Sequence, residues 1–155
     1  MSQRKRHDLP PGCISSSAAA RIAGTNLPRV LHWVSTGLLR PKCYAGERGA
    51  KNAAYAWRLP DVVAARTVAQ LRARGLSLQR VRLAEAAVRA AGNDLAGVVL
   101  WTDGRDAFRV LAGKQLVSVV KQPGQHMVFE LSVWAAEVNR EVAAEVERIN
   151  RSKAG

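Results

Sequence analysis

Arg29 and His32 sit just beyond the first turn of a short segment bracketed by Asn26 and Gly37. On a helix started and stopped that sharply, a guanidinium and an imidazole can read base edges in the major groove of DNA. From Arg21 to Arg58 the cations are Arg21, Arg29, Arg40, Lys42, Arg48, Lys51 and Arg58, and Glu47 is the single acid among them. Such a cluster repels itself unless a polyanion neutralises it, so phosphate neutralisation is the chemistry on offer. The wider balance points the same way. Residues 1–92 carry 16 Lys or Arg against 4 Asp or Glu, whereas residues 93–155 carry 8 against 8, so the whole net charge of +12 lies with the first part.

Catalytic chemistry finds less support. Asp103 belongs with Gly104 to a turn and Asp106 to a strand edge, which accounts for both carboxylates without acid/base work. His7, His32 and His126 have no nucleophile or metal partner at a telling distance. Gly46-Glu47-Arg48-Gly49 is too short for a phosphate-cradling loop. Cys13 and Cys43 stand alone, which predicts two reduced thiols rather than a zinc site, with a redox pair open only if folding brings them together. No enzyme activity, cofactor or metal is expected.

The elements that must position Arg29 and His32 are two helices. Ser17 can cap the first, Gly24 supplies a left-handed turn residue, and Asn26 caps the second with Pro28 in its first turn. Residues 38–58 then suit a two-stranded wing with its tip at 42–52, Tyr55 and Trp57 on one strand face, and Trp57 as a core plug. Pro60 and Asp61 open a third helix with Val62, Val63, Val68 and Leu71 on its apolar side, stopped by Gly75. Ser77 caps a fourth over 78–91, with Leu78, Val81, either Ala84 or Ala86, and Val88 inward and Gly92-Asn93 closing it. Arg66, Arg72, Arg74, Arg80, Arg82 and Arg89 on these helices read as solvated.

After residue 95 the pattern changes. Val98 to Thr102, Asp103-Gly104 and Arg105 to Val110 form a hairpin signal; Leu116 to Val120 reads as a third strand after Ala112-Gly113-Lys114, and Gln122-Pro123-Gly124 breaks the pattern. Residues 132–150 read as an amphipathic helix with Val138, Val142, Val146 and Ile149 on its stripe. That stripe suits dimer or partner binding, with packing inside the chain equally open. The fold class is therefore α+β: a flexible basic arm over 1–12, a winged helix-turn-helix domain over 13–92, and over 95–155 a small antiparallel hairpin or sheet with a C-terminal amphipathic helix. No apolar run approaches the roughly 20 residues needed to cross a bilayer. A soluble protein of the cytoplasm, associated with the nucleoid and without membrane partners, is expected.

Ala19-Ala20-Arg21-Ile22-Ala23-Gly24, then Val30-Leu31-His32-Trp33, then Gly37-Leu38-Leu39-Arg40-Pro41 resembles the MerR family of winged-helix regulators. The resemblance continues through Gly46, Arg48, Asp61-Val62 and the run from Leu71 to Val81, covering roughly residues 14–90. The chain departs from the family pattern at Leu31, where an arginine is usual, at His32-Trp33 in place of a tyrosine pair, and at Val34 in place of glutamate. Trp33 is assigned to the core with Val30 and Val34. The resemblance implies DNA contact by Arg29 and His32 in the second helix and by Arg40, Lys42, Arg48 and Lys51 in the wing; Arg21, Thr25, Asn26 and Arg58 complete the candidate set. Gly75 to Gln125 is more weakly similar to the middle of VapBC-type antitoxin-like proteins that begin with a MerR-like domain. The expected function is sequence-specific binding of double-stranded DNA by a homodimeric transcriptional regulator. The alternative is an antitoxin-like autoregulator whose C-terminal part binds a small toxin-like protein.

Overall fold

Ser15, rather than Ser17, starts the first helix. Its Oγ accepts a hydrogen bond from the Ala18 N–H at 3.1 Å, and helix α1 spans Ser16–Ala23. Serine is favoured at a helix start because it satisfies an N–H that has no intrahelical partner, and either serine could do so. The computed structural model describes residues 9–45, 54–90, 100–102, 107–110, 116–118, 129–130 and 135–154. Gly24 ends α1 with φ of 81°, a left-handed backbone open to glycine at little cost. Asn26 then caps helix α2 (Leu27–Ser35), its Oδ1 accepting from the Arg29 N–H at 3.0 Å, and Pro28 occupies the first turn, where no N–H is missed.

Three short strands carry the chain across the base of these helices. β1 (Ile14–Ser15), β2 (Cys43–Ala45) and β3 (Ala54–Trp57) form an antiparallel sheet in the order β1-β3-β2, with Ile14 opposite Trp57 and Tyr44 opposite Tyr55. The third strand, β1, has no counterpart in the two-stranded expectation, because two residues are too short to display alternation. Pairing also begins at Cys43, inside the segment expected as the hairpin tip. Residues 46–53, with Arg48 and Lys51, lie outside the described residues, as does most of the expected N-terminal arm. Trp57 is fully buried and its indole N–H donates to Ser16 Oγ at 2.9 Å, so it fills the core as expected and ties the sheet to α1.

α3 (Leu59–Ala73) begins with Asp61 accepting from the Arg58 N–H at 3.0 Å, and Gly75 follows it with φ of 102°. α4 (Leu78–Ala90) buries Val81, Ala84 and Val88, with Leu78 half-buried; of the two alanines open to the apolar side, Ala84 is the buried one and Ala86 faces solvent. These residues join Ile14, Ile22, Val30, Trp33, Trp57, Val62, Val68 and Leu71 in one hydrophobic core.

The last helix, α5 (Ala135–Ala154), packs on α1, α3 and β1. Val138 and Val142 are buried in the core, with Val146 and Ile149 packed against it. Of the two readings of the stripe, packing within the chain holds for Val138 and Val142, whose burial removes apolar area from water and corrects their assignment to a dimer or partner surface, while Val146 and Ile149 stay half-buried at its edge. It also moves the helix out of the expected 95–155 unit and onto the helical body.

Between α4 and α5 lies a second antiparallel sheet: β4 (Leu100–Thr102), β5 (Ala107–Val110), β6 (Leu116–Ser118) and β7 (Phe129–Glu130), in the order β6-β5-β4-β7. Thr102 stands opposite Ala107 across the hairpin expected around Asp103-Gly104. That turn, the segments 92–93, 112–114 and 122–124, and residues 131–134 lie outside the described residues. β7 was not legible in the sequence. The architecture is α+β, and among the described residues no helix is long and apolar enough to cross a membrane.

Candidate nucleic-acid interface

Two caps fix α2 on its long axis, and its burial fixes its rotation. Val30 and Trp33 point into the core, which turns Pro28, Arg29, Leu31, His32 and Ser35 to solvent. At the far end the His32 carbonyl accepts from the hydroxyls of Ser35 and Thr36, each at 2.9 Å. Arg82 reaches over from α4 and donates to Thr36 Oγ1 at 2.5 Å and to the Thr36 carbonyl at 3.4 Å. A cation there complements the negative end of the helix and ties α4 to α2. Sequence reading treats Arg82 as solvated, because nothing local announces a partner 46 residues away.

Beside the outer face of α2 runs an open groove of about 560 Å³, lined among others by Thr25, Arg29, His32, Trp33, Arg72 and Leu78. Three of its lining residues are basic types, and none is acidic. Arg72 was missed as a site residue. It lies at the end of α3, where its Nη1 donates to the Leu76 carbonyl at 2.9 Å and holds the turn into α4. Only the fold, which sets the end of α3 and the start of α4 across an open groove from α2, reveals that it shares that groove with Arg29.

The other expected contacts divide. Arg40 and Lys42 are exposed, and Arg40 Nε donates to the Gly37 carbonyl at 3.2 Å. Asn26 is exposed with its Oδ1 committed to the cap. Thr25 lines the groove, but its hydroxyl oxygen is buried and has no hydrogen-bond partner, so it is turned away from any duplex. Arg21 is drawn to α5, where its Nη2 meets Glu145 Oε2 at 2.9 Å. That carboxylate is only 7% exposed and also binds Arg148 Nη2 at 2.6 Å. Arg148 above all, and Arg21 with it, hold the Glu145 carboxyl below its ordinary range against the opposing effect of burial. Arg21 thus shares one carboxylate with Arg148 and remains largely exposed.

Arg58 is exposed at the start of α3, and its guanidinium draws the pKa of the Cys13 thiol downward. Cys43 lies beside that thiol too, so folding does gather the two cysteines, both unbridged. Burial pushes the Cys13 thiol above its ordinary range, more than Arg58 draws it down. A thiol so held stays protonated and is a poor nucleophile.

On the opposite flank, Arg66 is 17% exposed and donates to the Ile22 carbonyl at 3.0 Å and to Glu137 Oε2 at 3.0 Å, with Glu141 Oε1 at 3.9 Å. Arg66 and Arg21 together fasten α5 to α1 and α3. Arg21 and Arg66 are thus met by acids of α5, whereas Arg29 and Arg72 line the groove beside α2 and Arg40 and Lys42 are exposed beyond it. Comparison with family models, with curated proteins and with solved structures finds no match for this chain.

Proposed function

We propose that this chain is a sequence-specific double-stranded DNA-binding regulator of transcription, of the MerR-like winged helix-turn-helix type. In this reading α2 lies in the major groove and the β2–β3 hairpin acts as the wing. The observation that carries it is the outer face of α2: Arg29 and His32 stand exposed on a helix capped at Asn26, beside a groove whose lining holds Arg72 and no acid. Arg29 and His32 read base edges, while Arg40, Lys42 and Arg72 neutralise phosphates.

Genome-wide mapping of binding sites, followed by a salt titration on the best duplex, tests the reading. If Arg29, Arg40, Lys42 and Arg72 each displace a counterion, the logarithm of affinity falls against that of salt with a slope of roughly −3 to −4 per protomer. A dyad-symmetric site would mean that two copies act together. Failure to bind duplexes of every sequence in dilute buffer overturns the proposal.

A further inference from the structure

Among the described residues two large hydrophobic side chains are markedly exposed, and one of them, Leu31 at 43%, projects from the outer face of α2. Scattered exposed leucines are common on protein surfaces and usually carry no role. Leu31 differs in its company. It follows Pro28 by three residues, so the two adjoin on the helix surface; His32 lies on the far side of Pro28, and Arg29, two residues before Leu31, stands on the opposite edge of the exposed face. The exposed face therefore carries hydrogen-bonding groups along one edge and a small apolar group at mid-helix along the other, and in a helix laid into the major groove both edges are within reach of bases.

The major groove presents base-edge donors and acceptors and one apolar group, the C5 methyl of thymine. A leucine set among polar groups on such a face gains nothing against phosphates or against the polar edges of guanine and cytosine. Against a thymine methyl it removes apolar surface from water on both sides. We propose that Leu31 is a specificity-determining residue that selects thymine through its methyl group, on the edge of the helix face away from Arg29. The inference rests on the DNA-binding reading above and narrows it to sites holding a thymine at one fixed position.

The test replaces each thymine of the best mapped duplex in turn by deoxyuridine, which deletes the methyl and keeps every hydrogen-bonding group. The full-length wild-type chain is expected to lose about fourfold in affinity at one position, the worth of one buried methyl-sized group. Leu31→Ala is expected to bind the thymine and uracil duplexes equally there, and Leu31→Met to keep the preference. Circular dichroism confirms that each variant is folded. If the wild type binds its site specifically yet tolerates every replacement, or if Leu31→Ala keeps the discrimination, the inference about Leu31 is overturned while DNA binding stands. If no duplex is bound at all, both fall.

Discussion

The groove beside α2 and the seam under α5 use the same residue type to opposite ends. In the groove Arg29 and Arg72 meet no lining carboxylate. In the seam Arg21 and Arg66 are matched by Glu145, Glu137 and Glu141 of a helix that arrives from the far end of the chain. A cation paired with a carboxylate has little left to offer a phosphate, whereas an unmatched one lowers its own self-repulsion by taking a polyanion. Charge density along the sequence therefore marks a region, and the acids brought to it by folding decide which cations remain available.

The largest effect is expected in the seam. Val138→Asp places an unpaired carboxylate in the core against α1 and α3, costing on the order of 3–5 kcal/mol of folding stability, measured by urea unfolding. A variant that unfolds like wild type but no longer self-associates would show that the stripe faces a second copy. The next effect belongs to the groove. Arg29→Ala should weaken binding to the preferred duplex by about 1–3 kcal/mol and flatten preference at one base, whereas Arg72→Ala should weaken all sequences alike and reduce the salt slope by about 1. Equal behaviour of the two variants in a binding titration would erase the distinction between base reading and phosphate holding.

The same contrast explains what was legible. α2 could be read because its signals are local: Asn26, Pro28 and the apolar pair Val30 and Trp33 decide its start and rotation within a few residues. Trp57 was placed in the core because a large aromatic in a short strand has few other places to go. β1 and β7 were missed since two-residue strands are defined by their neighbours, Trp57 for Ile14 and Trp101 for Glu130. The fates of Arg21 and Arg72 were equally hidden. Arg21 meets its partner 124 positions away, and Arg72 shares a groove with Arg29 only because the fold sets the end of α3 across that groove from α2. An amphipathic stripe announces that it must be covered, and leaves open by what.

Acid should act on the seam and spare the groove. Glu145 is held below the ordinary glutamate range in the folded chain, so its contribution to stability is complete above that range and is lost as pH falls through the lowered value. Glu145→Gln should remove about 1 kcal/mol near neutral pH, a modest figure because Arg21 and Arg148 are themselves mostly exposed, and should flatten the acid limb of a stability-against-pH curve. An unchanged acid limb would mean that the carboxylate is no more stabilised folded than unfolded.

The smallest expected effect discriminates best between the two regions. Arg21→Gln removes a cation only a few residues before Arg29, inside the segment where sequence alone sees one undivided basic cluster. If Glu145 has taken that charge, duplex affinity at moderate salt should change by less than about twofold and the salt slope should stay where it was, because no counterion is displaced through Arg21. A slope that falls by about 1 would instead put Arg21 on a phosphate, which requires it to leave Glu145 when DNA binds. In that case Glu145→Gln should tighten DNA binding by releasing Arg21, so the pair of variants separates a fixed tether from one that competes with the duplex.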